Sequence, residues 1–202
     1  EAREKEGEKV KVVGRVMAIR GHGGLIFMDL RDESGQMQLV IKKDNVSERE
    51  WMIQELVDIG DFVQAGGGVF KTKAGEISVE VKVFGLLSKA VRPLPSSWHG
   101  FKDVEERYRQ RYVDLILNPE VRKVFDARTR IVRFLRQFMD KKGFMEVETP
   151  VLQPIYGGAT ARPFKTFHNA LKSEFYLRIA DELYLKRLIV GGYEKVYEIA
   201  KD

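Results

Sequence analysis

The sequence predicts an α+β chain in which a five-stranded β-barrel comes first and a domain of helices and antiparallel sheet follows. Three observations support this prediction. Short runs of β-branched and aromatic residues, separated by turn residues, fill the first part of the chain. A stretch with two prolines, Pro93 and Pro95, then interrupts the pattern, and helical spacing of apolar residues dominates afterwards. We therefore place a barrel domain at residues 1–88, a linker at 89–103 and the second domain at 104–202.

The barrel prediction depends on the order of its elements. Five strands are expected, at residues 10–20, 25–31, 37–42, 61–72 and 76–84. Gly14 is expected to form a bulge in the first strand, and one face of the fifth is expected to hold four apolar residues, Ile77, Val79, Val81 and Val83. A helix at 47–57, with Ser47 and Glu50 at capping-box spacing, separates the third strand from the fourth. This is the element order of an OB-fold barrel.

Alternation within these strands predicts which side chains face outward. If Met28 and the apolar residues that alternate with it point into the barrel, Phe27, Gln38 and Glu76 point outward and share one surface. An exposed aromatic ring can stack a base of single-stranded RNA, while an amide and a carboxylate can hydrogen-bond base edges. The alternative is a Phe27 ring covered by a neighbouring loop or helix, and alternation alone does not choose between them.

Helix start and stop signals organise the second domain. A first helix is expected at residues 104–117, and Asn118 with Pro119 starts a second one as N-cap and first helical residue. Apolar residues recur at helical spacing from 121 to 139, and Gly143 ends the helix. The remaining predicted elements are a strand at 144–148, a helix at 181–190 and a strand at 196–200.

Composition narrows the kinds of site that the chain can hold. It contains no Cys, which excludes disulfides and cysteine nucleophiles, and its three His residues lie far apart without metal-ligand spacing. We therefore expect no metal site in the chain. Residues 1–9 are strongly charged and no apolar run approaches the ~20 residues of a membrane span. We expect a cytoplasmic protein with neither a secretory signal nor a membrane segment.

Charge is unevenly distributed along the chain. Residues 1–87 carry 13 Lys and Arg against 15 Asp and Glu, whereas residues 88–202 carry 22 against 15. Attraction to a polyanion would therefore act mostly on the second half. A solvated basic helix face explains the same distribution, and charge alone does not separate the two interpretations.

Four runs of the sequence resemble one family of enzymes. Residues 143–150 are similar to motif 1 of the class II tRNA synthetases, in which a strand follows a long helix and ends at a proline. Three further runs, at residues 106–116, at 157–164 with 168–171, and at 178–188, resemble segments characteristic of the lysyl-tRNA synthetases. The aspartyl and asparaginyl relatives share the architecture, but the run Gly-Gly-Ala-Thr-Ala-Arg-Pro-Phe at 157–164 argues against them. The resemblance covers nearly the whole chain from Val10.

This resemblance assigns roles to residues of the barrel. It implies that Phe27 and Gln38 contact the tRNA anticodon, with the central uridine as the main target, and that Arg20 and Glu76 assist. Three of these four residues are those that alternation places outward. The glycine-rich residues 65–68 depart from what the family leads us to expect of a strand.

In the second domain the resemblance implies an amino-acid site and a dimer interface. Gly158 and Glu182 match residues that hold the α-amino group of lysine, and an ammonium group suits a carboxylate and a carbonyl oxygen. A plain turn at Gly158 and an exposed acid in the first turn of a helix at Glu182 are the alternatives. Motif 1, with Phe144, Glu148 and Pro150, implies a homodimer interface, although ordinary core packing explains its apolar stripe equally well.

The implied function is that of a lysine–tRNA ligase. The family uses ATP and Mg²⁺ to convert lysine to lysyl-adenylate, and then transfers the lysyl group to tRNA(Lys). The sequence reaches only the start of motif 2 at Asp202, so the second domain is expected to be an incomplete class II catalytic domain with no catalytic residue. We expect the 202 residues alone to be inactive and yet to bind tRNA. A truncated, non-catalytic tRNA-binding paralogue and a general single-strand-binding OB protein are the alternatives.

Overall fold

A computed structural model describes residues 7–95 and 101–202 of the chain. Its contacts form two compact units, Glu1–Leu117 and Asn118–Asp202. The helices that follow the predicted linker therefore pack with the first unit. The charged residues 1–6 and residues 96–100 of the predicted linker lie outside the described part of the chain.

The first unit contains a closed barrel of five strands, which confirms the predicted fold class. Its strands are β1 (Lys9–His22), β2 (Leu25–Arg31), β3 (Gln36–Lys42), β4 (Phe62–Lys71) and β5 (Ile77–Ser88). They follow the order β1-β2-β3-β5-β4 around the barrel, and β3 runs parallel to β5 while the other neighbours are antiparallel. Helix α1 (Glu48–Glu55) comes between β3 and β4 and begins with the predicted capping box of Ser47 and Glu50.

Apolar side chains from all five strands fill the barrel. Val16, Met28, Leu39 and Val79 are fully buried within one cluster, which α1 joins through Trp51. Burying an apolar side chain of this size stabilises the folded state by roughly 1.5–3 kcal/mol. Because successive residues of a strand point to opposite faces, this core also fixes which residues face outward.

One local prediction about β1 is wrong. The bulge of β1 lies at Met17, because the pairing with β2 shifts between Val16 and Ala18, and Gly14 pairs in regular register with Val63. Gly14 has another reason to lack a side chain, since a Cβ there would stand 3.0 Å from the carbonyl oxygen of Arg31.

The predicted inner face of β5 is also partly wrong. Val83 is 58% exposed, whereas Phe84 is buried. The cause is a register shift, in which Gly67 pairs with Val81 and Gly66 with Val83, so the alternation of β5 reverses. A Cβ on Gly67 would lie 1.9 Å from the carbonyl oxygen of Glu80. A glycine of the unusual 65–68 run thus permits the close approach of β4 to β5 at the shift.

The single helix predicted at 104–117 is in fact two helices, α2 (Val104–Arg109) and α3 (Arg111–Leu117). Asp114 is fully buried and pairs with Arg107 of α2, 2.8 Å away, and with Arg111 of α3. The break at Gln110 allows both cations to reach one carboxylate. Arg31 of the barrel donates a 2.7 Å hydrogen bond to the carbonyl oxygen of Ile116, which joins these helices to β2.

The second unit combines a long helix with short strands. Helix α4 (Pro119–Lys141) is followed by its C-cap Lys142 and then by Gly143, whose φ of +77° is typical of a helix-terminating glycine. Its other elements are β6 (Met145–Glu146), β7 (Leu152–Gln153), β8 (Lys165–His168), β9 (Ser173–Leu177), α5 (Glu182–Val190) and β10 (Val196–Tyr197). Strands β7, β9 and β8 form an antiparallel sheet, while β6 pairs in parallel with β10. Strands β6 and β10 are shorter than the strands predicted there.

Asp61 holds three segments of the first unit together. Its carboxylate is fully buried and accepts hydrogen bonds from the Asp58 amide at 2.8 Å, the Lys89 ammonium at 2.8 Å and the Ala90 amide at 2.6 Å. Its carbonyl oxygen accepts a bond from the amide of Val16 in β1. Burial raises the pKa of Asp61, but the hydrogen bonds from Asp58, Lys89 and Ala90 outweigh it and hold the pKa below its ordinary value.

Replacing Asp61 by Asn should lower the free energy of unfolding at neutral pH by about 1–3 kcal/mol, because the amide NH₂ would face a donor whichever way it turned. The carboxylate stabilises the folded state above its unfolded pKa of about 3.9, and this contribution disappears as the pH falls through the lower folded pKa. Urea denaturation at several pH values measures both effects. The difference in the free energy of unfolding between wild type and Asp61→Asn should therefore become smaller in acid.

Asp58→Asn is the matched control, because the Asp58 side chain is 79% exposed and its contact with Lys89 should contribute at most ~1 kcal/mol. Equal stability of wild type and Asp61→Asn at neutral pH would contradict this role for Asp61.

Candidate functional site

The strand pairing places the predicted barrel residues in neighbouring rows on the outer surface. Arg20 of β1 lies directly opposite Phe27 of β2, and in the next row Asp29 of β2 lies opposite Gln38 of β3. Gln38 in turn lies opposite Ser78 of β5. Residues directly opposite each other in a sheet share a face, so these side chains occur together on one surface.

A cleft of about 180 Å³ opens on this surface. It is lined by six residues, Arg20, Asp29, Gln36, Met37, Gln38 and Glu76. Three of the four predicted barrel residues therefore meet in one cleft. The fourth, Phe27, is half-buried opposite Arg20 and is not part of the cleft lining.

Two of the cleft residues are held by an ion pair and a turn. The guanidinium of Arg20 binds both carboxylate oxygens of Asp29, at 2.7 and 2.8 Å. These hydrogen bonds raise the pKa of Arg20 above its ordinary value, burial opposes them, and the charge of Glu76 adds to the rise. Glu76 lies in the turn just before β5. The Thr72 hydroxyl closes this turn by accepting a 3.0 Å hydrogen bond from the Glu76 amide. The cleft thus presents a fixed cation beside an acidic residue.

The polar end of Gln38 is also fixed. The hydroxyl of Ser78, which is fully buried, donates a 2.9 Å hydrogen bond to Gln38 Oε1. Sequence reasoning assigned no role to Ser78 or Asp29. Strand alternation contains the signal for both, because Asp29 alternates with Met28 and Ser78 with Val79, so each belongs to the outer face.

The second unit brings Gly158 and Glu182 together. Gly158 has a φ of +90°, and a Cβ on it would stand 3.1 Å from Ala180 Cβ, 3.2 Å from Glu182 Cβ and 3.7 Å from Glu182 Oε2. Glu182 is the first residue of α5 and forms an ion pair with Lys186 one turn later. A side chain at position 158 would therefore crowd the Cβ atoms of Ala180 and Glu182, and the positive φ by itself favours glycine there.

A buried ion pair holds the segment that leads to Glu182. Arg178 is 6% exposed and donates to Glu198 Oε1 at 2.7 Å and to Thr149 Oγ1 at 3.0 Å, while its amide bonds the carbonyl oxygen of Val151. Burial raises the pKa of Glu198, but hydrogen bonds from Thr149 and Arg178 hold it below its ordinary value. These bonds fix the backbone four residues before Glu182.

The predicted motif 1 residues lie around β6. Phe144 is half-buried, and Glu148 and Pro150 are exposed. The Tyr197 hydroxyl of β10 lies 3.3 Å from the carboxylates of Asp140 and Glu146. Burial, with these two carboxylates, raises the pKa of Tyr197 to about 12, so its hydroxyl stays neutral. Helix α4 and the two strands are thereby joined at one point.

Helix α4 leaves its apolar side chains uncovered within the second unit. None of its residues is buried. Five large apolar side chains at helical spacing are 46–68% exposed, namely Val124, Ile131, Phe134, Leu135 and Phe138. An exposed apolar stripe of this length is typical of an interface rather than of a solvated helix face.

Neither a metal-binding cluster nor a membrane-spanning helix occurs among the described residues. Within residues 7–95 and 101–202, no group of three or more His, Asp or Glu side chains is arranged to hold a metal ion. In the same part of the chain, no helix combines the length and the apolar character needed to cross a bilayer.

Comparison with known proteins identifies both halves of the chain. Residues 10–87 match the family model of the OB-fold nucleic acid binding domain, and residues 103–202 match that of the class II tRNA synthetases (D, K and N). Among similar curated proteins, the lysine–tRNA ligases of Moorella thermoacetica and Clostridium perfringens (strain 13) are each 57% identical and cover 98% of this chain. That of Carboxydothermus hydrogenoformans is 56% identical over 96% of the chain.

The chain spans 40% of the length of each of these relatives. Within that span the similarity is continuous from the barrel into the second unit, and it includes the motif 1 region and the segment that carries Glu182. The resemblance stated from the sequence is therefore confirmed: the chain belongs to the class II tRNA synthetases and, among them, to the lysine–tRNA ligase family.

Proposed function

We propose that the barrel reads the anticodon of tRNA(Lys) and that the second unit contributes to the amino-acid site and the dimer interface of a lysine–tRNA ligase. The observation that carries the proposal is the cleft in which Arg20, Gln38 and Glu76 meet beside Phe27. A single-stranded loop offers base faces for stacking and base edges for hydrogen bonds, and this surface supplies an aromatic ring, an amide, a guanidinium and a carboxylate.

The reaction proposed for the whole enzyme has two steps. The carboxylate of lysine attacks the α-phosphorus of ATP and displaces pyrophosphate, and a ribose hydroxyl at the end of tRNA then takes the lysyl group and releases AMP. Mg²⁺ belongs to this proposal as a counter-ion of the phosphates, but the described residues form no metal-binding group and we assign them no step through it. A cytoplasmic location follows from the proposal, because translation consumes charged tRNA there.

The part that this chain contributes to lysine binding is the pair of Gly158 and Glu182. An ammonium group has three donors and a positive charge, so the Glu182 carboxylate, which lies 3.7 Å from the position of a Cβ on Gly158, is an acceptor of suitable charge. The Arg178 network supports the same proposal, since it fixes the backbone that leads to Glu182.

Phe27→Ala should weaken binding of a tRNA(Lys) anticodon stem-loop by about 1–3 kcal/mol, the usual contribution of one stacked base. Titration of the stem-loop at one stated salt concentration measures the effect, and circular dichroism checks folding. Phe62→Ala is the matched control, because Phe62 is an exposed aromatic residue that stacks on Arg15 and does not line the cleft. Equal affinities of wild type and Phe27→Ala would rule out stacking. If Phe27→Ala lost the same affinity for RNA of every sequence, a general single-strand-binding protein would be favoured.

Glu182→Gln should raise the KM for lysine about 10- to 100-fold in a ligase of the relatives' full length that carries these residues. The reason is the lost charge of a hydrogen bond partner, worth ~1.5–3 kcal/mol. Lysine-dependent exchange of pyrophosphate into ATP provides the measurement. Glu174→Gln is the control, because that side chain is 62% exposed in β9, away from α5 in sequence. An unchanged KM would remove Glu182 from the amine site.

Ile131→Asp in the same full-length enzyme should shift the dimer towards monomer in sedimentation, because a charge would replace an apolar contact on the exposed stripe of α4. Gln137→Asp adds the same charge at an exposed position of α4 outside the stripe and should leave the dimer intact. If Ile131→Asp sediments as wild type does, the stripe of α4 is not the dimer interface.

A further inference from the structure

Ser78 is a buried polar side chain for which the family roles leave no function. It lies in β5 on the outer face of the barrel, opposite Gln38, and is 0% exposed. A hydroxyl removed from water in this way needs a hydrogen bond partner. Its closest partner is the amide of the residue proposed to read a base.

The hydrogen bond from Ser78 has a defined direction. Its hydroxyl oxygen lies 2.9 Å from Gln38 Oε1 and 3.4 Å from the carbonyl oxygen of Glu76. A serine hydroxyl carries one proton, and the shorter contact gives that proton to Gln38 Oε1. The acceptor oxygen of the Gln38 amide is therefore occupied by the buried hydroxyl of Ser78.

The consequence is a cleft with a fixed hydrogen-bonding polarity. An amide has one acceptor oxygen and two N–H donors at its other end. With Oε1 held by Ser78, Gln38 has its NH₂ group left for a ligand in the cleft that it lines. Donors match a carbonyl oxygen of a base and oppose an exocyclic amino group.

We propose that Ser78 is a positioning residue that makes Gln38 a donor, so that the cleft selects a pyrimidine with a 4-oxo group over one with a 4-amino group. The inference rests on the proposed function of the barrel and names how its base preference arises. Ser78 itself touches no RNA. Without its hydroxyl, the Gln38 amide is free to turn and to present its oxygen, which accepts a bond from the amino group of cytosine.

The test compares two anticodon stem-loops that differ only at the central position, uridine in one and cytidine in the other. Each is titrated against wild type, Ser78→Ala and Ser88→Ala at one stated salt concentration, with circular dichroism as the folding control. Ser88 is also in β5 but lies opposite Phe62 at the other end of the strand, so Ser88→Ala serves as the matched control. Ser78→Cys, which has a slightly larger side chain and a weaker donor, replaces Ser78→Ala if that variant fails to fold.

We expect Ser78→Ala to reduce the ratio of uridine to cytidine affinity by about 3- to 10-fold, the range of one neutral hydrogen bond, while Ser88→Ala leaves the ratio unchanged. Gln38→Glu should invert the preference, because a carboxylate held by Ser78 presents only an acceptor to the cleft. An unchanged ratio in the Ser78 variant that folds would overturn the role of Ser78 and leave the proposed function standing. A wild type that binds both loops equally would instead overturn base reading by the cleft.

Discussion

The pairing of β2 with β3 is the constraint on which the whole candidate surface depends. Met28 lies opposite Leu39, and both side chains are fully buried in the barrel. Because strand side chains alternate, this one pair forces Phe27, Asp29 and Gln38 onto the outside. A slip of one residue would put the polar Asp29 and Gln38 into the core and Met28 and Leu39 into water, so the hydrophobic core itself specifies the register. The binding surface is thus a direct consequence of the packing beneath it.

The same alternation explains why much of the barrel could be predicted from the sequence. Its alternating apolar residues predicted the strands and the outward position of Phe27, Gln38 and Glu76, and the capping-box spacing of Ser47 and Glu50 predicted the helix. Alternation cannot show where a bulge or a register shift interrupts the pattern. The bulge at Met17 and the reversal before Val83 arise from pairing with other strands. The reversal has a local signal in Gly67 of the partner strand, but a glycine in a strand has several possible meanings. Roles of individual site residues came from the family resemblance and stay predictions.

Helices and contacts of the second half were less predictable for a related reason. The residues from 104 to 117 have the local composition of one helix, yet the buried carboxylate of Asp114 draws cations from both sides of a break at Gln110. The Arg178 and Glu198 pair joins residues that lie 20 positions apart in the sequence. Such buried polar networks depend on tertiary packing, and no local sequence pattern predicts them.

Apolar packing and buried hydrogen bonds therefore have different roles in this chain. Apolar packing sets the outer rows of the barrel, and buried hydrogen bonds then hold individual side chains within those rows, as Asp29 holds Arg20 and Ser78 holds Gln38. A reading surface that is fixed before RNA arrives loses less conformational entropy on binding than a flexible one.

Anticodon reading by the barrel is tested most directly by the nuclear magnetic resonance spectrum of the isotopically labelled chain during titration with a tRNA(Lys) anticodon stem-loop. We expect the largest chemical-shift changes at Arg20, Phe27, Gln38 and Glu76, with Ser78 following Gln38. Shifts concentrated instead around the exposed Val13 and Val83, or spread evenly over the barrel, would contradict it.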